Sequence, residues 1–128
     1  MQINIKATGI ELTPFISNYV TEKIEPCKRF LKVRGEEEIK FNIEVGKTTR
    51  HHREGDFFRA EINLNYDGNT LRVEKTEGDL YAAIDVAKDE LVEQINALNK
   101  KKNTLFKKGG RSLKNVLRGI GRGFRRWS

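Results

Sequence analysis

From Phe58 to Tyr66 every second residue is apolar: Phe58, Ala60, Ile62, Leu64 and Tyr66, with Arg59, Glu61 and Asn63 between them. A period of two puts one set of side chains on one face of a strand and the other set on the opposite face. Such a segment can fold only as a strand with one wet face and one buried face. The same rhythm marks Ile39, Phe41, Ile43 and Val45, against Lys40, Asn42 and Glu44. It returns at Leu71 and Val73, against Arg72 and Glu74, and at Ile3, Ile5 and Ala7. Asp67-Gly68, directly after Tyr66, is a two-residue hairpin signal, because Gly tolerates the positive φ that a tight turn needs.

Two stretches switch to helical period. Thr13-Pro14 supplies an N-cap and a proline at the first helical position. Ile16, Val20 and Ile24 then recur four apart, with Tyr19 beside them. Pro26 should end or kink this helix near Glu25, with a further turn through Cys27, Phe30 and Leu31. Asp79 can cap a second helix in which Leu80, Ala83, Ile84, Ala87, Leu91, Ile95 and Leu98 recur at spacings of three and four, to about Lys102. The order β-α-β-β-β-α predicts an α+β fold: a two-layer sandwich, four strands in one sheet with two helices on one face.

Charge divides the chain differently. Up to Glu93 it carries 14 Lys/Arg against 18 Asp/Glu; from Gln94 onward it carries 11 Lys/Arg and no acid. A near-neutral domain, residues 1–103, is thus expected to carry a cationic tail, residues 104–128. Five glycines in that tail (109, 110, 119, 121 and 123) disfavour helix and predict mobility when unbound. A segment of one sign suggests a polyanionic partner; a tail that only aids solubility is the competing reading. Cys27, the single cysteine, excludes an internal disulfide and fits a reducing compartment. With no apolar stretch long enough for a signal peptide or a bilayer span, the expectation is a soluble, cytoplasmic protein.

Catalytic signals are weak. His51 and His52 are adjacent, so in an extended hairpin their rings point apart, and no cysteine accompanies them as a metal ligand. Cys27 reads as a buried inert thiol, and Glu36, Glu37 and Glu38 as a solvated run. No phosphate-cradling glycine loop joins a strand to a helix. Neither enzyme activity, cofactor, metal nor small-molecule substrate is expected.

The basic positions are more informative. Lys28, Arg29, Lys32 and Arg34 follow the first helix, and Lys47, Arg50, His51, His52 and Arg53 are expected at a hairpin tip. Lys100, Lys101 and Lys102 are expected to close the second helix, where cations would also complement the helix dipole. The tail adds Lys107, Lys108, Arg111, Lys114, Arg118, Arg122, Arg125 and Arg126, interleaved with Phe106, Phe124 and Trp127. Cations on phosphates and rings against exposed bases are the usual chemistry of RNA contact, so these are the candidate RNA-binding residues. Leu113, Val116, Leu117, Ile120, Phe124 and Trp127 also fall at helical spacing, which leaves a membrane surface as an alternative target for the tail.

Gly78-Asp79-Leu80-Tyr81-Ala82-Ala83-Ile84-Asp85, opening the second helix, resembles the corresponding motif of the ribosome hibernation-promoting factors, a family that includes the ribosome-associated inhibitor protein Y. Met1-Gln2-Ile3-Asn4-Ile5 and Phe58-Arg59-Ala60-Glu61-Ile62 are similar to family segments too, and the likeness spans roughly residues 1–102. The resemblance implies the same fold. It also implies binding to the small ribosomal subunit, its rRNA and proteins, in the cleft that mRNA and tRNA use, so that translation is inhibited and idle ribosomes are protected under stress. Within the motif the implied roles are architectural, with Asp79 as cap and Tyr81 and Ile84 packing. Similar proteins carry Lys/Arg further along the second helix, where this chain has Glu90, Glu93 and Asn96; the emphasis therefore moves to Lys100, Lys101 and Lys102. Residues 103–128 are too short and too cationic for the dimerisation domain of long members, so a short form, monomeric away from the ribosome, is expected. A regulatory module that binds another protein, with a nonspecific basic tail, is the alternative.

Overall fold

Local chemistry sets the start of both helices and the end of the first. The computed structural model of the chain describes residues 1–33, 35, 38–48 and 55–108, with backbone alone for 103–108. Strand β1 (Gln2–Thr8) is followed by helix α1 (Pro14–Ile24), a 3₁₀ helix (Glu25–Phe30), strands β2 (Lys40–Thr48), β3 (Phe57–Tyr66) and β4 (Asn69–Glu77), and helix α2 (Leu80–Lys108). The Thr13 side chain accepts a hydrogen bond from the Ile16 N–H at 3.2 Å, satisfying a donor that the helix leaves open. Asp79 does the same for α2, its Oδ2 2.9 Å from the Ala82 nitrogen. Pro26 has no N–H to continue the α-helical ladder, and the chain tightens into the 3₁₀ turn from Glu25.

The strands lie in the order β1-β2-β3-β4. β1 runs parallel to β2, with Ile3 opposite Phe41, Ile5 opposite Ile43 and Ala7 opposite Val45. β2 with β3 and β3 with β4 are antiparallel. Asp67 and Gly68 take φ values of 47° and 76°, the double positive φ of a type I′ turn, whose twist matches the strands it joins. The alternation then resolves as expected. Phe41, Ile43, Val45, Ala60, Ile62, Leu64, Tyr66, Leu71 and Val73 form one buried face. They share a single core with Ile16, Val20 and Ile24 of α1 and Leu80, Ala83, Ile84, Ala87, Leu91, Ile95 and Leu98 of α2. Both helices therefore cover one side of the sheet, in the α+β two-layer arrangement.

One difference concerns the end of α2. It runs to Lys108 rather than stopping near Lys102. Asn103 to Lys108 contains neither Gly nor Pro, and the first strong breaker is Gly109. The helix thus crosses position 103, and the cationic segment begins on helical backbone. The expectation of mobility for 109–128 lies outside the described residues, as does that of a hairpin tip at 49–54.

Among the described residues two buried side-chain oxygens have no hydrogen-bond partner, Gln94 Oε1 and the Tyr66 hydroxyl, and the second lies in the core. Tyr66 is 2% exposed, and its hydroxyl has no hydrogen-bond partner among the described residues. Burial, followed by the charge of Asp67, pushes this phenol up from 10.0 to about 12. The unfolded chain releases the proton near pH 10 and the folded one near 12, so between these values the folded state holds more protons. Rising pH must then favour unfolding, with a loss on the order of 2 kcal/mol across that window and none below it. Tyr66→Phe removes both effects. It is expected to gain about 1 kcal/mol at pH 7, by deleting a buried unpaired hydroxyl, and to lose less stability than the parent at pH 11. Urea denaturation at the two pH values measures both. A destabilised variant at pH 7 would mean that the hydroxyl does have a partner.

Candidate nucleic-acid interface

A surface that binds phosphate needs cations. On the open face of the sheet both arginines are held by carboxylates, while Lys6 and Lys40 are exposed there. The Arg59 guanidinium lies 3.2 Å from Glu44, 3.4 Å from Glu61 and 3.4 Å from Glu74. Arg72 lies 3.1 Å from both Glu61 and Glu74. Burial raises the Glu61 carboxyl, but hydrogen bonds from Asn63 and Arg72 and the charges of Arg72 and Arg59 outweigh it, so it sits below the usual carboxylate range. Amides fill the remainder: Asn4 Nδ2 donates to Asn42 Oδ1 at 3.1 Å, and Asn63 Nδ2 donates to Glu61 Oε1 at 2.8 Å. Cross-strand pairs of opposite charge hold the sheet together here and leave the face near neutral.

The flank of α2 is similarly committed. Lys75 of β4 lies 2.6 Å from Glu90. Its hydrogen bond with Glu90, then the charges of Glu90, Glu77 and Glu93, raise its ammonium above the usual lysine range. Lys88 pairs with its neighbour Asp89. The first half of α2 is therefore acidic or neutralised, and the run of cations begins at Lys100.

Lys100 and Lys101 are exposed and Lys102 is half-buried. One contact decides what they join. The Asn99 side chain donates to the Phe30 carbonyl at 2.8 Å, although 69 residues separate them. This bond closes an open carbonyl at the end of the 3₁₀ helix and fastens that end to the turn of α2 carrying the lysines. Arg29, exposed, stacks its guanidinium 4.9 Å from the Phe30 ring centre, within cation–π range. Lys28 is half-buried, 3.8 Å from Glu25. Lys32 follows, lining a cavity with Val33, Glu38 and Asp67. The Asn99–Phe30 bond thus brings the segment that carries Lys28, Arg29 and Lys32 beside the turn of α2 that leads into Lys100, Lys101 and Lys102.

Lys47 is not part of that group. It lies seven residues along β2 from Lys40, roughly 23 Å at strand rise, and is 3.0 Å from Asp56. Lys107 and Lys108 lie on the helical backbone of α2. Arg34, Arg50, His51, His52, Arg53, Arg111, Lys114, Arg118, Arg122, Arg125 and Arg126 lie outside the described residues. Among the described residues, no three His, Cys, Asp or Glu side chains are grouped to hold a metal ion. No helix there is long and apolar enough to cross a membrane. Burial raises the Cys27 thiol, against the smaller opposing effects of Lys88 and Arg29.

Comparison with known proteins identifies the family and the fold. The profile of the family described as sigma 54 modulation protein / S30EA ribosomal protein matches residues 3–103. The chain belongs to this family. Relatives in the S30EA family include the ribosome hibernation promotion factor of Bacillus subtilis, 26% identical over 121 residues, covering 94% of this chain and 60% of that protein. The ribosome hibernation promoting factor of Klebsiella oxytoca is 30% identical over 95 residues, covering 74% of this chain and 90% of that protein. Against Deinococcus radiodurans ribosome hibernation promotion factor the identity is 30%, over 74% of this chain and 48% of that protein. The chain therefore spans about half to three-fifths of the longer relatives it matches. Among solved structures, the Thermus thermophilus protein Y N-terminal domain superposes with a TM-score of 0.64 at 29% identity, over 77% of this chain and 99% of that one. A ribosomal subunit interface protein from Coxiella burnetii, 19% identical with a TM-score of 0.57 over 79% of this chain and 100% of that one, shares the fold.

One surface feature does not stand out in the residue order. Phe15 and Tyr81, on different helices, meet in the open. The available signal is small: an aromatic residue directly after Pro14, off the apolar stripe of α1.

Proposed function

We propose that this S30EA-family chain is a ribosome-binding hibernation factor, acting by occupation rather than by catalysis. Its domain enters the mRNA and tRNA channel of the small subunit, blocks translation and protects the idle ribosome. The observation that carries the reading is the Asn99–Phe30 bond, which brings the segment with Lys28, Arg29 and Lys32 beside the turn of α2 that leads into its lysines. Arg59 and Arg72 on the open sheet face are held among Glu44, Glu61 and Glu74. The relatives named for ribosome hibernation supply the partner. The hairpin cations at 47–53 reach a second phosphate site, and the basic segment 104–128 follows the path of the messenger.

Counterion release gives the test. Each phosphate neutralised contributes about 0.7–0.9 to the slope of log affinity against log salt. Binding of the full chain to purified small subunits is measured across a salt series. A second full-length protein, with Arg111, Lys114, Arg118, Arg122, Arg125 and Arg126 changed to glutamine, is measured in parallel. A slope shallower by about 3–5 is expected for the variant. Equal slopes would remove the tail from the interface. Translation in vitro that proceeds unhindered at saturating protein would overturn the reading as a whole.

A further inference from the structure

Phe15 at the start of α1 is 67% exposed, and Val86 on α2 is 37% exposed; among the described residues these are the large apolar side chains left open to solvent. Phe15 does not stand alone. Its ring meets Tyr81 edge-on, 5.8 Å between centres at 85°, and Tyr81 meets Tyr19 at 4.8 Å and 74°. Two carboxylates border these rings. The Tyr19 hydroxyl donates to Asp85 Oδ1 at 2.8 Å. Burial, that hydrogen bond, and the charges of Asp85 and Asp79 push the Tyr19 phenol up to about 12, so both carboxylates act on the cluster.

The molecule already shows what such a surface accepts. The Lys23 ammonium sits 5.4 Å from the Tyr19 ring centre and 3.7 Å from Asp85, taking the ring face and the carboxylate together. Aromatic faces attract cations within about 6 Å, and the adjoining carboxylate adds a charged acceptor. Phe15 and Tyr81, further out, repeat the aromatic half of that arrangement beside Asp79.

We propose that Phe15, Tyr81 and Asp79, beside the Tyr19–Asp85 pair that Lys23 already occupies, form a docking surface for the arginine or lysine side chains of a cationic protein segment. RNA fits the site poorly, because the exposed Asp79 carboxylate repels phosphate. A second copy of the chain fits poorly too, since a two-fold contact sets the same carboxylates against each other. The proposal does not rest on the RNA-binding reading.

The test is a titration of the ¹⁵N-labelled full chain with a synthetic octa-arginine peptide at ~0.15 M salt, near the physiological screening length, with no ribosome present. Amide shifts are expected to cluster at 14–23 and 79–86. Phe15→Ala and Phe15→Leu should each weaken binding about fivefold, and Asp79→Asn, whose amide oxygen can still cap α2, should do likewise. Phe15 is exposed, so its replacement leaves the core intact. Shifts scattered over all acidic residues, or unchanged affinity in both Phe15 variants, would overturn the proposal. Tail amides that move on Phe15→Ala without peptide would assign the surface to this chain's own residues 111–126 instead. An oligouridine that shifts the same amides would assign it to RNA. Failure here leaves the salt titration of the basic end untouched, and failure there leaves this surface untouched.

Discussion

Changing Lys100, Lys101 and Lys102 together to alanine is expected to weaken binding to purified small ribosomal subunits by on the order of 100-fold. Each ammonium–phosphate interaction is worth about 1 kcal/mol, and three together amount to roughly that factor. These lysines have two readings in the sequence: contacts to phosphate, or complements to the helix dipole. The course of α2 separates them. The helix continues to Lys108, and the dipole's influence falls off within the last turn, so residues 100–102 lie too far inside to serve it. Alanine is also the best helix former. Stability should then stay within about 0.5 kcal/mol of the parent, while the salt dependence of binding becomes shallower by roughly 2–3 in slope. Thermal unfolding and a salt series on the same variant check both halves. Unchanged affinity with unchanged stability would remove this end of the sandwich from the interface.

Gly46→Ala is expected to destabilise the fold by about 2–4 kcal/mol, the range of severe packing changes. Gly46 pairs with Thr8 in the parallel register of β1 and β2. A Cβ built there would lie 2.4 Å from the Thr8 carbonyl oxygen. That atom is backbone and cannot rotate away, so one strand must move. β1 pairs only with β2 among the described strands, and it is the one that can leave. Hydrogen exchange should accelerate at residues 2–8 and remain slow across β3 and β4. Gly68→Ala is the control: its φ of 76° strains any other residue, but nothing lies within 4 Å of an added Cβ. About 1 kcal/mol is expected there. Denaturant midpoints for the two variants, with equal slopes, test the contrast; equal losses would mean that close strand approach is not what requires Gly46.

Elements whose cause lies within a few residues were open to reading from the chain alone. The alternation from Phe58 to Tyr66, the Asp67-Gly68 turn, the Thr13 and Asp79 caps and the break at Pro26 each arise from neighbouring atoms, and each stands where expected. The basic residues were visible as residue types, but not as a surface. Which carboxylates surround a cation depends on strand register, which set Arg59 and Arg72 among three glutamates. Which cations stand together depends on helix packing, which brought Phe30 to Asn99. Phe15 met Tyr81, and Tyr19 met Asp85 across 66 residues, for the same reason. Capping and periodicity are local geometry written in residue order. Pairings between distant segments exist only once the core has closed, because it is the shape of that core that chooses which side chains become neighbours.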